Sequence, residues 1–77
     1  MKIGKCKVVH IEWWDACSLA GWWKPDDDDG PMLIQSVGLL AHETKTGIVI
    51  STGTGPHGKF VDKFTIPRCA VKRIRYL

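Results

Sequence analysis

Two tryptophan doublets, Trp13-Trp14 and Trp22-Trp23, and eleven lysines and arginines set against eight aspartates and glutamates are the chemistry-bearing features of this 77-residue chain. Tryptophan and arginine are the side chains most enriched where binding energy concentrates at interfaces, and an aromatic face also accepts a nucleobase by stacking. Adjacent strand residues point to opposite faces, so one of Trp13 and Trp14 is expected in the core and the other at solvent or against a neighbour. For the doublets together three roles stand open: subunit interface, ligand stacking, and a lid over the core. The cations are unevenly placed. Lys2, Lys5 and Lys7 open the chain and Lys63, Arg68, Lys72, Arg73 and Arg75 close it, with Asp26, Asp27, Asp28 and Asp29 together between them. If both ends share one sheet, these cations form a patch for phosphates or an acidic partner; otherwise they are a solvated surface.

The remaining motifs point away from catalysis. Gly53-Thr54-Gly55-Pro56-His57-Gly58-Lys59 has the glycine and lysine spacing of a phosphate-binding loop. Such a loop needs Ser or Thr after the lysine and then a helix, whereas here Phe60 follows and Phe60 to Ile66 alternates as a strand. The stretch therefore reads as a hairpin loop, with a weak anion site beside Lys59 as the alternative. His10, His42 and His57 lack the spacing of metal ligands, and Cys6, Cys17 and Cys69 form no Cys-x-x-Cys pair. The aspartate run lacks the spaced ligands of a calcium loop. No acid, base and nucleophile converge, so neither enzymatic activity nor a metal or cofactor is expected.

The elements that must position these residues are strands. Val9, Ile11 and Trp13 fall on one face at period two, with His10 and Glu12 on the other. Residues 15–31, with Asp15 as a helix cap and Pro25, Gly30 and Pro31 as breakers, form a short helical or irregular insertion. Met32 to His42 reads as a long strand bent at Gly38, Glu43 to Gly47 as a turn, and Ile48 to Thr52 as the returning strand. After the glycine loop, Phe60, Phe64 and Ile66 mark a fourth strand ended by Pro67; Val71, Ile74 and Leu77, three apart, suit either a short helix or a tight turn into a last strand, and Pro67 to Ala70 favours the turn. The expectation is one mainly β domain over residues 1–77, a small, strongly bent, five-stranded antiparallel barrel with an insertion at about 15–31. A chain of this length buries only roughly 60% of its unfolded surface, which favours self-association. The unpaired cysteines fit a reducing compartment, the Lys-apolar alternation at the start reads as a strand and not a leader, and no run approaches the ~20 apolar residues of a membrane span. A soluble cytoplasmic protein is expected, in the host cell if phage-encoded.

Val37-Gly38-Leu39-Leu40-Ala41-His42-Glu43, Ile48-Val49-Ile50-Ser51 and Phe64-Thr65-Ile66-Pro67-Arg68-Cys69-Ala70-Val71-Lys72-Arg73-Ile74, together with Glu12, Trp13 and Asp15, resemble small uncharacterised proteins of bacteriophages and environmental viral sequences. Those in turn are similar to Sm-like and Src-homology-type small barrels. The resemblance implies a five-stranded barrel, a phage or mobile-element origin, and ring assembly with single-stranded RNA held by loops that fall here near Glu43–Gly47 and Pro67–Ala70. The Asp and Asn of the family's first motif and the Arg-Gly pair of its second have no counterpart in this sequence.

The expected function is thus a non-enzymatic, Sm-like small-barrel protein that forms homo-oligomers and binds single-stranded RNA or nucleotides. Ligand or nucleic-acid contact is assigned to Trp14, Trp22, Trp23, Lys59, Arg68, Lys72, Arg73 and Arg75, and a subunit interface to Trp13, Trp14 and Trp23. The same residues also suit a protein-interaction module for a host partner. A further alternative is a phage-encoded pocket that sequesters a small nucleotide signal, formed between subunits by residues 13–23 and the glycine loop.

Overall fold

Period-two alternation early in the chain builds a long strand, Cys6–Asp15, which the computed structural model places inside one antiparallel sheet. The structure describes residues 1–16, 22, 24–25 and 30–77. In chain order the strands are β1 (Lys2–Ile3), β2 (Cys6–Asp15), β3 (Met32–Glu43), β4 (Gly47–Thr54), β5 (Phe60–Pro67) and β6 (Val71–Tyr76), with 3-10 turns at Pro56–Gly58 and Arg68–Ala70. Among the described residues there is no α-helix, and no helix long and apolar enough to cross a membrane. The five long strands are those read from the sequence; β1 is an added two-residue arm paired with the start of β2. The insertion expected at about 15–31 falls largely outside the described residues, with β2 running to Asp15 and β3 starting at Met32.

β2 pairs on one side with β3, from Val8↔Leu39 to Asp15↔Met32, and on the other with β6, from Val9↔Tyr76 to Trp13↔Val71. β4 then joins β3, and β5 joins β4, so the long strands lie in the order β6-β2-β3-β4-β5. The main core is the inward face of this sheet: Val9, Ile11, Trp13, Ile48, Ile50 and Ile66, with Ile34, Leu40, Val71 and Ile74 packed against them, while Val8 and Leu39, opposite each other in the β2–β3 register, are buried on the other face. One sheet can enclose such a core only by curling. The rings of Trp13 on β2 and Phe64 on β5 lie 5.5 Å apart, centroid to centroid. With two strands between them, a flat sheet at the usual spacing would hold them about 14 Å apart.

The curl has local causes. Register shifts interrupt the β3–β4 ladder between Leu40 and His42 and the β2–β6 ladder between Glu12 and Trp13, and irregularities of this kind bend and twist a strand. Gly38 allows β3 to press against β4, since a Cβ there would sit 3.1 Å from both Ile50 Cβ and the Ser51 carbonyl oxygen. The side chain can shift a little, but the carbonyl belongs to a paired strand and cannot easily do so. Gly38→Ala is therefore expected to destabilise the fold by about 1–3 kcal/mol, read as a lower denaturant midpoint. An unchanged midpoint would show that the bend has room to spare.

The expected barrel closure does not occur. β5 and β6 are not hydrogen-bonded to each other, so the architecture is an open, curled sheet of six antiparallel strands and not a closed five-stranded barrel. The reason lies in the link between them. Pro67 has no N–H to offer a neighbour, the Arg68 N–H turns back to the Thr46 carbonyl at 2.8 Å, and the 3-10 turn carries the chain across to β2. The outer edges of β5 and β6 are consequently left without a hydrogen-bonded strand among the described residues.

Candidate functional site

Residues directly opposite in neighbouring antiparallel strands share a face. The registers of β6, β2 and β3 therefore set out rows across the outer surface of the sheet. Arg75, His10 and Val37 form one row, and Arg73, Glu12 and Gln35 the next, about 7 Å along the strands. Beyond these stand Trp14 and Leu33. Lys72 joins this last pair because of the register shift at Glu12/Trp13: Arg73 is opposite Glu12 while Val71 is opposite Trp13, which leaves Lys72 as the extra residue. Its Nζ lies over the Trp14 ring, 5.6 Å from the centroid, within the range of a cation–π contact.

The doublet Trp13-Trp14 divides as strand alternation requires. Trp13 is 8% exposed, donates its Nε1–H to Ser36 Oγ at 3.0 Å and packs on Phe64. Trp14 is 44% exposed on the opposite face. Trp13, assigned to a subunit interface from sequence, is thus enclosed by its own chain, whereas Trp14 offers surface. Trp22 is fully exposed, and Trp23 lies outside the described residues. Between the cations and the tryptophan sit polar groups that the sequence reading did not single out as site residues. His10 Nε2 and Gln35 Oε1 are hydrogen-bonded at 2.8 Å, while His10 Nδ1 is shielded with no partner among the described residues. Their signal in the sequence was only that they alternate with core residues on two strands.

Of the assigned contact residues, Trp14, Lys72, Arg73 and Arg75 are brought to this one face. Arg68 is occupied elsewhere. Its Nε donates to the Thr44 carbonyl at 3.0 Å and its Nη2 meets Glu43 Oε1 at 3.4 Å. The side chain staples the β3–β4 turn to the β5–β6 turn, beside an open depression of about 610 Å³ lined by Glu43, Thr44, Lys45 and Arg68. The two loops implied by the family resemblance are therefore neighbours. Lys59 stands in the β4–β5 loop, whose geometry is that of a hairpin: Gly55 N–H donates to the Lys59 carbonyl at 2.9 Å, and β5 follows at Phe60 where a phosphate-binding loop would need a helix. His57 and Gly58 carry positive φ in that tight turn.

Cys6 and Cys69 are free thiols, and no group of three His, Cys, Asp or Glu side chains able to hold a metal occurs among the described residues. Comparison with protein-family models, with curated proteins and with solved structures finds no match in any of the three. The reading of the site therefore stands on its own geometry.

Proposed function

We propose that this chain is a non-enzymatic, self-assembling protein of Sm-like type that binds single-stranded RNA across the outer face of β6, β2 and β3. The observation that carries the reading is the alignment of Lys72, Arg73 and Arg75 on one edge strand beside the half-exposed ring of Trp14. Cations in a row neutralise a phosphate chain without reading its sequence. The exposed indole supplies what a duplex does not use, a platform for an unstacked base, while His10, Glu12 and Gln35 offer donors and acceptors to base edges.

Self-assembly is supported by the two free strand edges. An unpaired edge is a template for another strand, and β5 of one copy against β6 of the next gives a head-to-tail contact that closes into a ring when the rotation permits. Pairing along the edges leaves the outer face clear, because side chains stand perpendicular to the hydrogen-bonding direction. Assembly and RNA binding are therefore compatible in one particle.

Trp14→Leu tests the platform while keeping an apolar partner for Leu33. Base–aromatic stacking contributes about 1–3 kcal/mol per base, so the variant is expected to bind fluorescein-labelled oligouridylate about tenfold more weakly by anisotropy. Unchanged affinity would remove Trp14 from the RNA face.

A further inference from the structure

β3 and β4 separate beyond the pair Leu39↔Ser51. Among the described residues, β3 from Met32 to Val37 pairs with β2 alone, and Gly53 and Thr54 of β4 pair with β5 alone. The gap is a cleft of about 470 Å³, lined by Ser36 and Val37 from β3, Ile50 and Thr52 from β4, and Asp62, Lys63 and Phe64 from β5. That volume falls within the range of small-molecule sites.

Several features mark it as a prepared site. Asp62 falls in step with Phe60, Phe64 and Ile66 along β5 and, though exposed, lines the cleft. Its φ is 54°, a left-handed backbone that aspartate adopts more readily than most non-glycine residues. Thr52 Oγ1 lies 3.2 Å from Asp62 Oδ2 and 3.3 Å from the Val61 carbonyl oxygen, so its one hydrogen is shared between them and Asp62 Oδ1 is left to a ligand. Trp13 holds two of the walls at once, through its hydrogen bond to Ser36 Oγ and its ring contact with Phe64. The Ser36 oxygen is thereby used as an acceptor, so its own O–H remains to donate. Phe64 is still 45% exposed.

We infer that this cleft holds a single nucleobase bearing an exocyclic amino group, an inference that rests on the nucleic-acid reading for its ligand class. Phe64 packs on the base, Asp62 accepts the amino N–H, Ser36 donates to the neighbouring ring nitrogen or carbonyl, and Lys63 meets a phosphate. Cytosine satisfies this arrangement through its amino group and N3, adenine through its amino group and N1, and guanine through its amino group and N3, since its N1 carries a hydrogen. Uracil sets a carbonyl oxygen where the amino group should be, against the Asp62 carboxylate. Val37 connects the two surfaces, since it lines the cleft and also ends the row Arg75-His10-Val37. A strand crossing the outer face can thus lower one base into the cleft, which adds selectivity at one position to otherwise sequence-tolerant binding.

The test is titration of the intact chain with CMP, AMP, GMP and UMP, following the Asp62 amide and Phe64 ring resonances by NMR. The first three are expected to move both signals and to bind about tenfold more tightly than UMP. Asp62→Asn, whose side chain tolerates the same left-handed backbone, should bring that ratio close to one. Phe64→Leu should weaken all the nucleotides alike. Equal binding of all four, no movement at Asp62 and Phe64, or a ratio that survives in Asp62→Asn overturns the inference. Oligouridylate binding through Trp14 is expected to be unaffected by Asp62→Asn and reports separately on the outer face. Its absence alongside selective CMP binding would overturn the RNA reading and leave the pocket standing.

Discussion

Trp13→Ala is expected to cost about 3–5 kcal/mol of folding stability, the range for removing a large aromatic side chain from a core. A domain of this length has a total stability of roughly 4–12 kcal/mol, so the loss is a large fraction of the whole. Trp13 is more than a filler of space. It sits near the C-terminal end of β2, in one cluster with Val9, Ile11, Ile48, Ile50 and Ile66, and its ring reaches Phe64 across the curled sheet. Its removal both opens a cavity and cuts the contact that draws β5 toward β2. Trp13→Phe separates the two effects, since it keeps a ring near Phe64 but leaves Ser36 Oγ without its donor, at an expected cost of about 1–3 kcal/mol. Denaturant unfolding followed by circular dichroism at one fixed protein concentration measures both. Concentration matters because association stabilises the folded state by mass action. A Trp13→Ala midpoint close to that of the native chain would show that the curl is held by other contacts.

The second large effect concerns the cations. Replacing Lys72, Arg73 and Arg75 together by glutamine is expected to reduce the slope of log affinity against log salt by about 2, because each phosphate contact on a single strand contributes about 0.7. Over the decade between about 1 M and 0.1 M salt that slope amounts to a roughly 100-fold weaker complex at the lower concentration. Lys59→Gln, in the distant β4–β5 loop, is the matched control and should leave the slope unchanged. Arg68→Gln is not a clean control, because its guanidinium joins two turns. A triple variant with lowered affinity but an unaltered salt slope would show that the three side chains shape the face without touching phosphate.

Much of the frame was legible from residue order. Val9, Ile11 and Trp13 announce an inward strand face, and Phe60 following Lys59 argues against a phosphate-binding loop; Gly38, expected to bend β3, is where that strand comes close to β4, while the register irregularity lies between Leu40 and His42. The division of labour between Trp13 and Trp14 also follows from alternation alone. What was not legible depends on how strands meet. Period two would set Lys72 on the same side as Ile74 and Tyr76; only the register shift between Glu12 and Trp13 turns it toward Trp14. Such a shift leaves no trace in hydrophobic periodicity, since it is decided by the partner strand.

The open edge between β5 and β6 was invisible for a related reason. Five strands with short links suggest closure, but closure depends on where the turn at Arg68–Ala70 delivers the last strand, and that is fixed by hydrogen bonds to the distant Thr44–Thr46 turn. Asp62 did carry a signal that went unused, a charged residue in step with Phe60 and Phe64 along the strand. Reading it as an interruption of the pattern, and not as ordinary strand polarity, would have located the cleft.

The central claim, that this small sheet assembles and holds single-stranded RNA on its basic, tryptophan-bearing face, is tested most directly by size-exclusion chromatography with light scattering at low salt, run with and without oligouridylate. The predicted result is a particle whose mass is a multiple of the 8.6 kDa chain and which increases by the mass of the RNA when the oligonucleotide is present. An 8.6 kDa species that elutes apart from the RNA would contradict it.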